Sequence, residues 1–228
     1  MKLFKFLVVC ELILLLITTL IIKKPNDGKC YNDSVEQIDL LMNYEENELK
    51  EEQEKNDIKF IQSCNDDISY ENIELLTNII KDEIINYDWI EYEFYLSLCG
   101  QESRFKKISL IDNDLICNTD SFLGAKYGRG ISQVSEIALE EYNNKNHTDY
   151  VPTDLYNVKI NVKISMWLLN KYHHGYDYNG NYFERSVEKT SLIYNNGYVV
   201  IRGTEKQKSK CNYEYYSDIM NLYNSWVD

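Results

Sequence analysis

The chain has 228 residues, room for one domain of about 150 residues plus extensions, and a net charge of −13. Residues 1–29 hold five lysines against two acids, residues 30–98 four lysines against nineteen acids, and residues 99–228 fifteen bases against sixteen acids. The acidity belongs to the front segment, and no part offers the basic face that would point to nucleic-acid binding, so that class is excluded.

The first element is an apolar run, Phe6 to Ile22, broken by Glu11 and two threonines and flanked by Lys2, Lys5, Lys23 and Lys24. At about 1.5 Å per residue it can just cross a bilayer core if the flanking lysines snorkel. No small-x-small cleavage site follows Ile22, which favours a retained anchor over residues 1–24 above a removable signal. Glu11 opposes both readings, softened by its position near the first end. A retained anchor makes the protein single-pass, with the remainder outside the cytoplasm. Pro25 to Gly28 then break the chain. The acidic stretch that follows, with "EENELKEEQEKND" at 45–57, reads as a solvated stalk or linker over 25–65.

From Ser69 the pattern changes. Ile73, Leu76, Ile80 and Ile84 recur at three- and four-residue steps, widened by Leu75 and Ile79, which predicts an amphipathic helix capped by Ser69 or Asp67. A second helix is expected from about Asp88 through Gln101. On it Tyr95, Leu98 and Glu102 share one stripe, so Glu102 extends a buried line at the helix end. Desolvation and the negative end of the helix dipole there would both disfavour its ionised form. A raised carboxyl pKa suits a general acid near neutral pH, although these residues alone fit an exposed last turn better.

Residues 106–128 read as loop. Ile131, Val134, Ile137, Ala138 and Tyr142 predict a helix, as do Val158, Val162, Ser165, Met166 and Leu169 behind an Asp154 cap. Further helices are expected from Ser186 to Gly197 and around Tyr216, Ile219, Met220 and Tyr223. The fold class is therefore mainly α, with at most a small hairpin, and the folded domain spans 66–228. Six cysteines match no zinc spacing, and His147, His173 and His174 make no ligand set, so no metal is expected. Cys99 and Cys117 bracket Glu102 and are the pair whose oxidation would pin the following loop; in a reducing setting they remain thiols.

Five strips in order, "QESRF", "SFLGAKYGRGISQ", "NVKISMWLL", "LIYNNG" and "YYSDI", cover roughly Asp88 to Trp226. Together they resemble the catalytic domain of soluble-type lytic transglycosylases, which has a lysozyme-like fold. The resemblance implies cleavage of the bond between N-acetylmuramic acid and N-acetylglucosamine in peptidoglycan, with 1,6-anhydro ends and no cofactor. It makes Glu102 the catalytic residue, acid and then base, with Tyr194 close beside it. Ser103, Ser121, Gln133, Asn195 and Tyr215 fall on substrate-contacting strips, and Gly130 and Asn161 on structural ones. Ser132, Glu136 and Ser165 depart from the pattern, which has methionine, proline and glycine there. The loop before Ser121 is also longer.

A hydrolytic muramidase on the same fold is the nearest rival; it would draw a water-activating aspartate from Asp112, Asp114 or Asp120. A glycan-binding or scaffold module without catalysis is the rival from another class. The implied partners are peptidoglycan strands near the membrane and, for local wall opening, a secretion or conjugation machine.

Overall fold

The computed structural model describes residues 28–123, 126–177 and 179–227 and is mainly helical. The expected anchor, 1–24, lies outside the described residues. Among those described, no helix is long and apolar enough to cross a membrane.

The acidic stretch is helical: α1 runs Gly28–Cys64. Glu, Gln and Lys are good helix formers, and Glu46–Lys50 pairs one turn apart at 2.8 Å. Its middle is exposed, Leu40, Met42, Tyr44 and Leu49 included, as a solvated segment would be. The chain divides into two units inside this helix, at Lys55 and Asn56. The second unit thus takes in residues 56–64, which the sequence had assigned to the stalk. There Phe60 and Ile61 are buried, and Asp57 is buried as the partner of Lys81 at 3.0 Å. A charge run immediately upstream hides this short apolar cluster from any pattern count.

Within the second unit, α2 (Tyr70–Ile84) starts as expected, with Ser69 Oγ accepting from Asn72 N at 3.3 Å. Its Ile73, Leu76 and Ile80 are buried. Helix α3 (Tyr92–Ser103), with Glu91 at its N-cap, starts four residues after Asp88, where the sequence places its beginning. It is buried without interruption from Phe94 to Gly100, so it is surrounded on all sides, which explains its continuous apolar sequence. The helices that follow are α4 (Glu136–Asn146), α5 (Val158–His173), α6 (Val187–Asn196), the short α7 (Val199–Arg202) and α8 (Glu205–Lys208), and α9 (Tyr215–Val227); α2 and α9 pack along α3, and α5 reaches it through the Tyr95–Ser165 hydrogen bond. A 3-10 turn, Pro152–Tyr156, leads into α5, whose cap is Asn157 and not Asp154. The Asn157 side chain accepts from Lys159 N and Ile160 N.

The expected loop after Glu102 is strand. β1 (Ile108–Ile111) and β2 (Asp114–Cys117) form an antiparallel hairpin; β3 (Asp120–Leu123), β4 (Lys126–Arg129) and β5 (Val134–Ser135) form a small antiparallel sheet. Asp112 and Asn113, both at positive φ, make the two-residue turn that a right-twisted hairpin favours. The four-residue strands are too short to display alternation. The helix predicted from Ile131 begins instead at Glu136, capped by Ser135, because Ile131 to Gln133 are needed for the β4–β5 turn.

Candidate active site

Glu102 lies in the last turn of α3 and is partly buried. Immediately beyond it the backbone is left-handed at three non-glycine residues, Arg104 (φ 51), Phe105 (φ 52) and Lys107 (φ 53). Such residues cost on the order of 1 kcal/mol each and persist only where surroundings fix them. Here the ring of Phe105 is fully buried edge-on to Phe60, and Asn65 Nδ2 donates to the Phe105 carbonyl at 2.8 Å. The chain thus turns away sharply and leaves the Glu102 carboxylate facing a cleft.

That cleft, about 280 Å³ in volume, is lined by Glu102, Ser121, Gln133, Tyr194 and Asn195, from α3, β3, the β4–β5 turn and α6. It therefore brings together five of the seven residues singled out from sequence. Burial pushes the Glu102 carboxyl up to about 7, against a smaller opposing pull from the Tyr215 hydroxyl, which donates to Oε1. Burial, and then the neighbouring Glu102 charge, hold the phenols of Tyr194 and Tyr215 well above their ordinary value. Both remain neutral donors.

Two sequence expectations are revised. Tyr215 is buried against the acid as its hydrogen-bond donor and is absent from the residues lining the cleft. Tyr194 lines it near Glu102, in keeping with its expected place, and its hydroxyl donates to the Ser132 carbonyl at 2.7 Å. Ser103 is buried and its hydroxyl is engaged inside the turn, donating to Cys99 O at 3.0 Å and accepting from Phe105 N at 3.1 Å. It closes the helix end behind Glu102 and contacts no ligand space. Of the rival aspartates, Asp112 and Asp114 are exposed on the β1–β2 hairpin, and Asp120 accepts from Tyr156 at 2.8 Å. None lines the cleft.

Gln133, at φ 51, is held over the cleft by Nε2, which donates to Thr119 O at 3.0 Å and Gly130 O at 2.7 Å. Its Oε1 is buried without a hydrogen-bond partner among the described residues. An orphaned acceptor costs about 1–3 kcal/mol, a cost that a ligand donor reaching it would relieve.

The turn carrying Gln133 rests on a buried polar cluster. Ser132 N donates to Asn161 Oδ1 at 2.9 Å, and Asn161 Nδ2 donates to the carbonyls of Arg129 and Leu155, each at 2.8 Å. Behind it the Tyr95 hydroxyl bonds Ser165 at 2.5 Å and Ser132 at 2.9 Å, and Cys99 Sγ lies 3.4 Å from Ser132 Oγ. Ser132 and Ser165, both departures from the family pattern and the second also on the predicted helix stripe, are thus two partners of one hydroxyl. Tyr95 on the α3 stripe was the signal that linked them. The cysteines Cys64, Cys99, Cys117 and Cys211 are free thiols, so of the two states the sequence left open for Cys99 and Cys117 the structure has the reduced one. Burial raises the Cys99 thiol to about 12, which makes it unreactive.

Glu141 of α4 also lines the cleft, paired with Lys171 of α5, and no sequence feature had distinguished it. Among the described residues no group of His, Cys, Asp and Glu is arranged to hold a metal ion. No protein-family model, curated protein or solved structure matches the chain.

Proposed function

We propose that the protein is a peptidoglycan lytic transglycosylase with a lysozyme-like catalytic domain. The observation that carries this reading is the meeting of Glu102, Ser121, Gln133, Tyr194 and Asn195, drawn from separated strips of sequence, around one carboxyl held near pH 7.

In this reading Glu102 enters as the acid. It gives its proton to the glycosidic oxygen as the bond to the anomeric carbon breaks. The substrate's acetamido group can carry the positive charge that develops, which removes the need for the second carboxylate of the usual two-acid scheme. Glu102, now a carboxylate stabilised by Tyr215, takes the proton of the sugar's own C6 hydroxyl, and that oxygen bonds the anomeric carbon. Atoms balance without water, and the product is a 1,6-anhydro ring. Tyr194 fixes the Ser132 carbonyl and hence the turn bearing Gln133, whose free acceptor suits an amide or hydroxyl donor of the glycan. A membrane anchor at 1–24 would confine cleavage to wall close to the membrane, which suits local opening for a secretion or conjugation machine. The masses of products released from purified peptidoglycan test the reading: anhydro ends are each lighter by one water than hydrolysed ends.

The pH dependence follows from the same geometry. Glu102 must start protonated, so kcat/KM falls as pH rises through about 7. Tyr215→Phe removes the donor that stabilises the carboxylate, so the carboxyl pKa rises. The alkaline limb of the pH–rate profile then moves to higher pH while the maximum rate drops, by about tenfold. An unmoved limb would show that Tyr215 does not govern the acid.

The hydrolytic rival loses its sequence-based support, because Asp112, Asp114 and Asp120 are all outside the cleft lining.

A further inference from the structure

Glu141 is the second acidic side chain on the cleft wall, and its setting differs from that of Glu102. Its side chain is 39 % exposed and paired with Lys171, which is 26 % exposed. The ammonium of Lys171 lies 5.5 Å from the Tyr172 ring centre, 5.9 Å from Trp167 and 5.9 Å from Tyr198. Three aromatic faces thus hold the cation in place beside the carboxylate. Around the pair the cleft is apolar, with Ile137, Ala138, Leu168 and the ring of Tyr172.

We propose that Glu141, neutralised by Lys171, forms a sugar-binding subsite that selects an uncharged N-acetylhexosamine ring; this rests on reading the cleft as a glycan site. A lone carboxylate would draw cations, but this one already carries its counter-ion. A ligand bringing an ammonium or a carboxylate must therefore break the pair to gain an equivalent contact. A neutral ligand has no such cost. A carboxylate has about four acceptor positions, so Glu141, which lines the cleft, keeps several for hydroxyl and acetamide donors while Lys171 neutralises it from outside the lining. The apolar wall then receives the C–H face of a sugar ring, as aromatic and aliphatic side chains commonly do. Charged and neutral ligands are told apart by the charges they would leave unpaired.

The test uses the full chain carrying Glu102→Gln, so that ligand is not cut, with calorimetric titration of two probes. One is the neutral N-acetylglucosamine tetramer, and the other its cationic deacetylated counterpart. The neutral tetramer is expected to bind, and the cationic one to bind at least about fivefold more weakly. Adding Glu141→Gln, which keeps the side-chain shape, should weaken the neutral tetramer about tenfold, as loss of hydrogen bonds to a charged acceptor does. Lys171→Met should reverse the preference towards the cationic tetramer by freeing Glu141. Unchanged thermal midpoints confirm that both variants fold. Equal binding with and without Glu141→Gln would overturn the subsite while leaving the cleft assignment intact. Tighter binding of the cationic probe to the chain with Glu141 and Lys171 intact would likewise overturn it. Failure of the Glu102→Gln chain to bind either tetramer would overturn the glycan reading of the cleft, and the subsite with it.

Discussion

Glu102→Gln is expected to lower the rate of peptidoglycan cleavage by at least about a thousandfold, with the helical fold retained. General acid or base help is commonly worth about a hundredfold to ten-thousandfold, and here one group serves in both halves of the reaction. The neutral amide still accepts from Tyr215, so the cleft keeps its shape while the transferable proton is lost. Stability should move the other way. Burial raises the Glu102 pKa in the folded chain to about 7, above its value in the unfolded chain. The folded state therefore binds the proton more tightly; its contribution to stability is complete below the unfolded pKa and is lost as pH rises through about 7. The Gln variant has no proton to lose. At pH 8 its unfolding midpoint should equal or exceed that of the parent, and a clearly lower midpoint would mean that the carboxylate is structural.

Gly130→Ala should have the largest effect on the fold. Gly130 sits at φ 75, and an added Cβ would lie 2.1 Å from the Leu155 carbonyl and 2.4 Å from Asn161 Nδ2. Neither neighbour can retreat, since one is backbone and the other is tied to Ser132, Arg129 and Leu155. A left-handed alanine costs about 1–2 kcal/mol, and forced overpacking about 1–3 kcal/mol more, out of a total stability on the order of 5–15 kcal/mol. Thermal unfolding should show a midpoint lower by about 10 °C or complete loss of the folded protein. Gly130→Asn tolerates the left-handed backbone yet meets the same two atoms, so it should rescue little. A midpoint within about 2 °C of the parent for either variant would show that the β4–β5 turn is not held as described.

The helical elements were legible where apolar residues recur at helical spacing beside a capping residue, as at Ser69 to Ile84 and Ser186 to Gly197. They were misplaced where a local hydrogen bond competes, as at Asp154, whose carboxylate accepts from Val151 N while Asn157 takes the cap. The β strands were missed because each spans four residues or fewer. In the site, the order of motifs located Glu102, Ser121, Gln133, Tyr194 and Asn195. Partnership was not legible. That Tyr215 donates to Glu102 while Tyr194 donates to Ser132 depends on how α6 and α9 lie against α3, a three-dimensional relation with no sequence spacing. Glu141 was hidden for a similar reason, since a Glu on a polar helix face looks like any solvated charge until Lys171 and the cleft lie beside it.

The central proposal is that Glu102 uses the sugar's own C6 hydroxyl as the nucleophile, and the most direct measurement is digestion of purified peptidoglycan in water enriched in heavy oxygen. Mass spectrometry of the released muropeptides should give 1,6-anhydro ends that carry no heavy oxygen and that disappear with Glu102→Gln. Reducing ends that each carry one heavy oxygen would contradict this account and assign the cleft to hydrolysis.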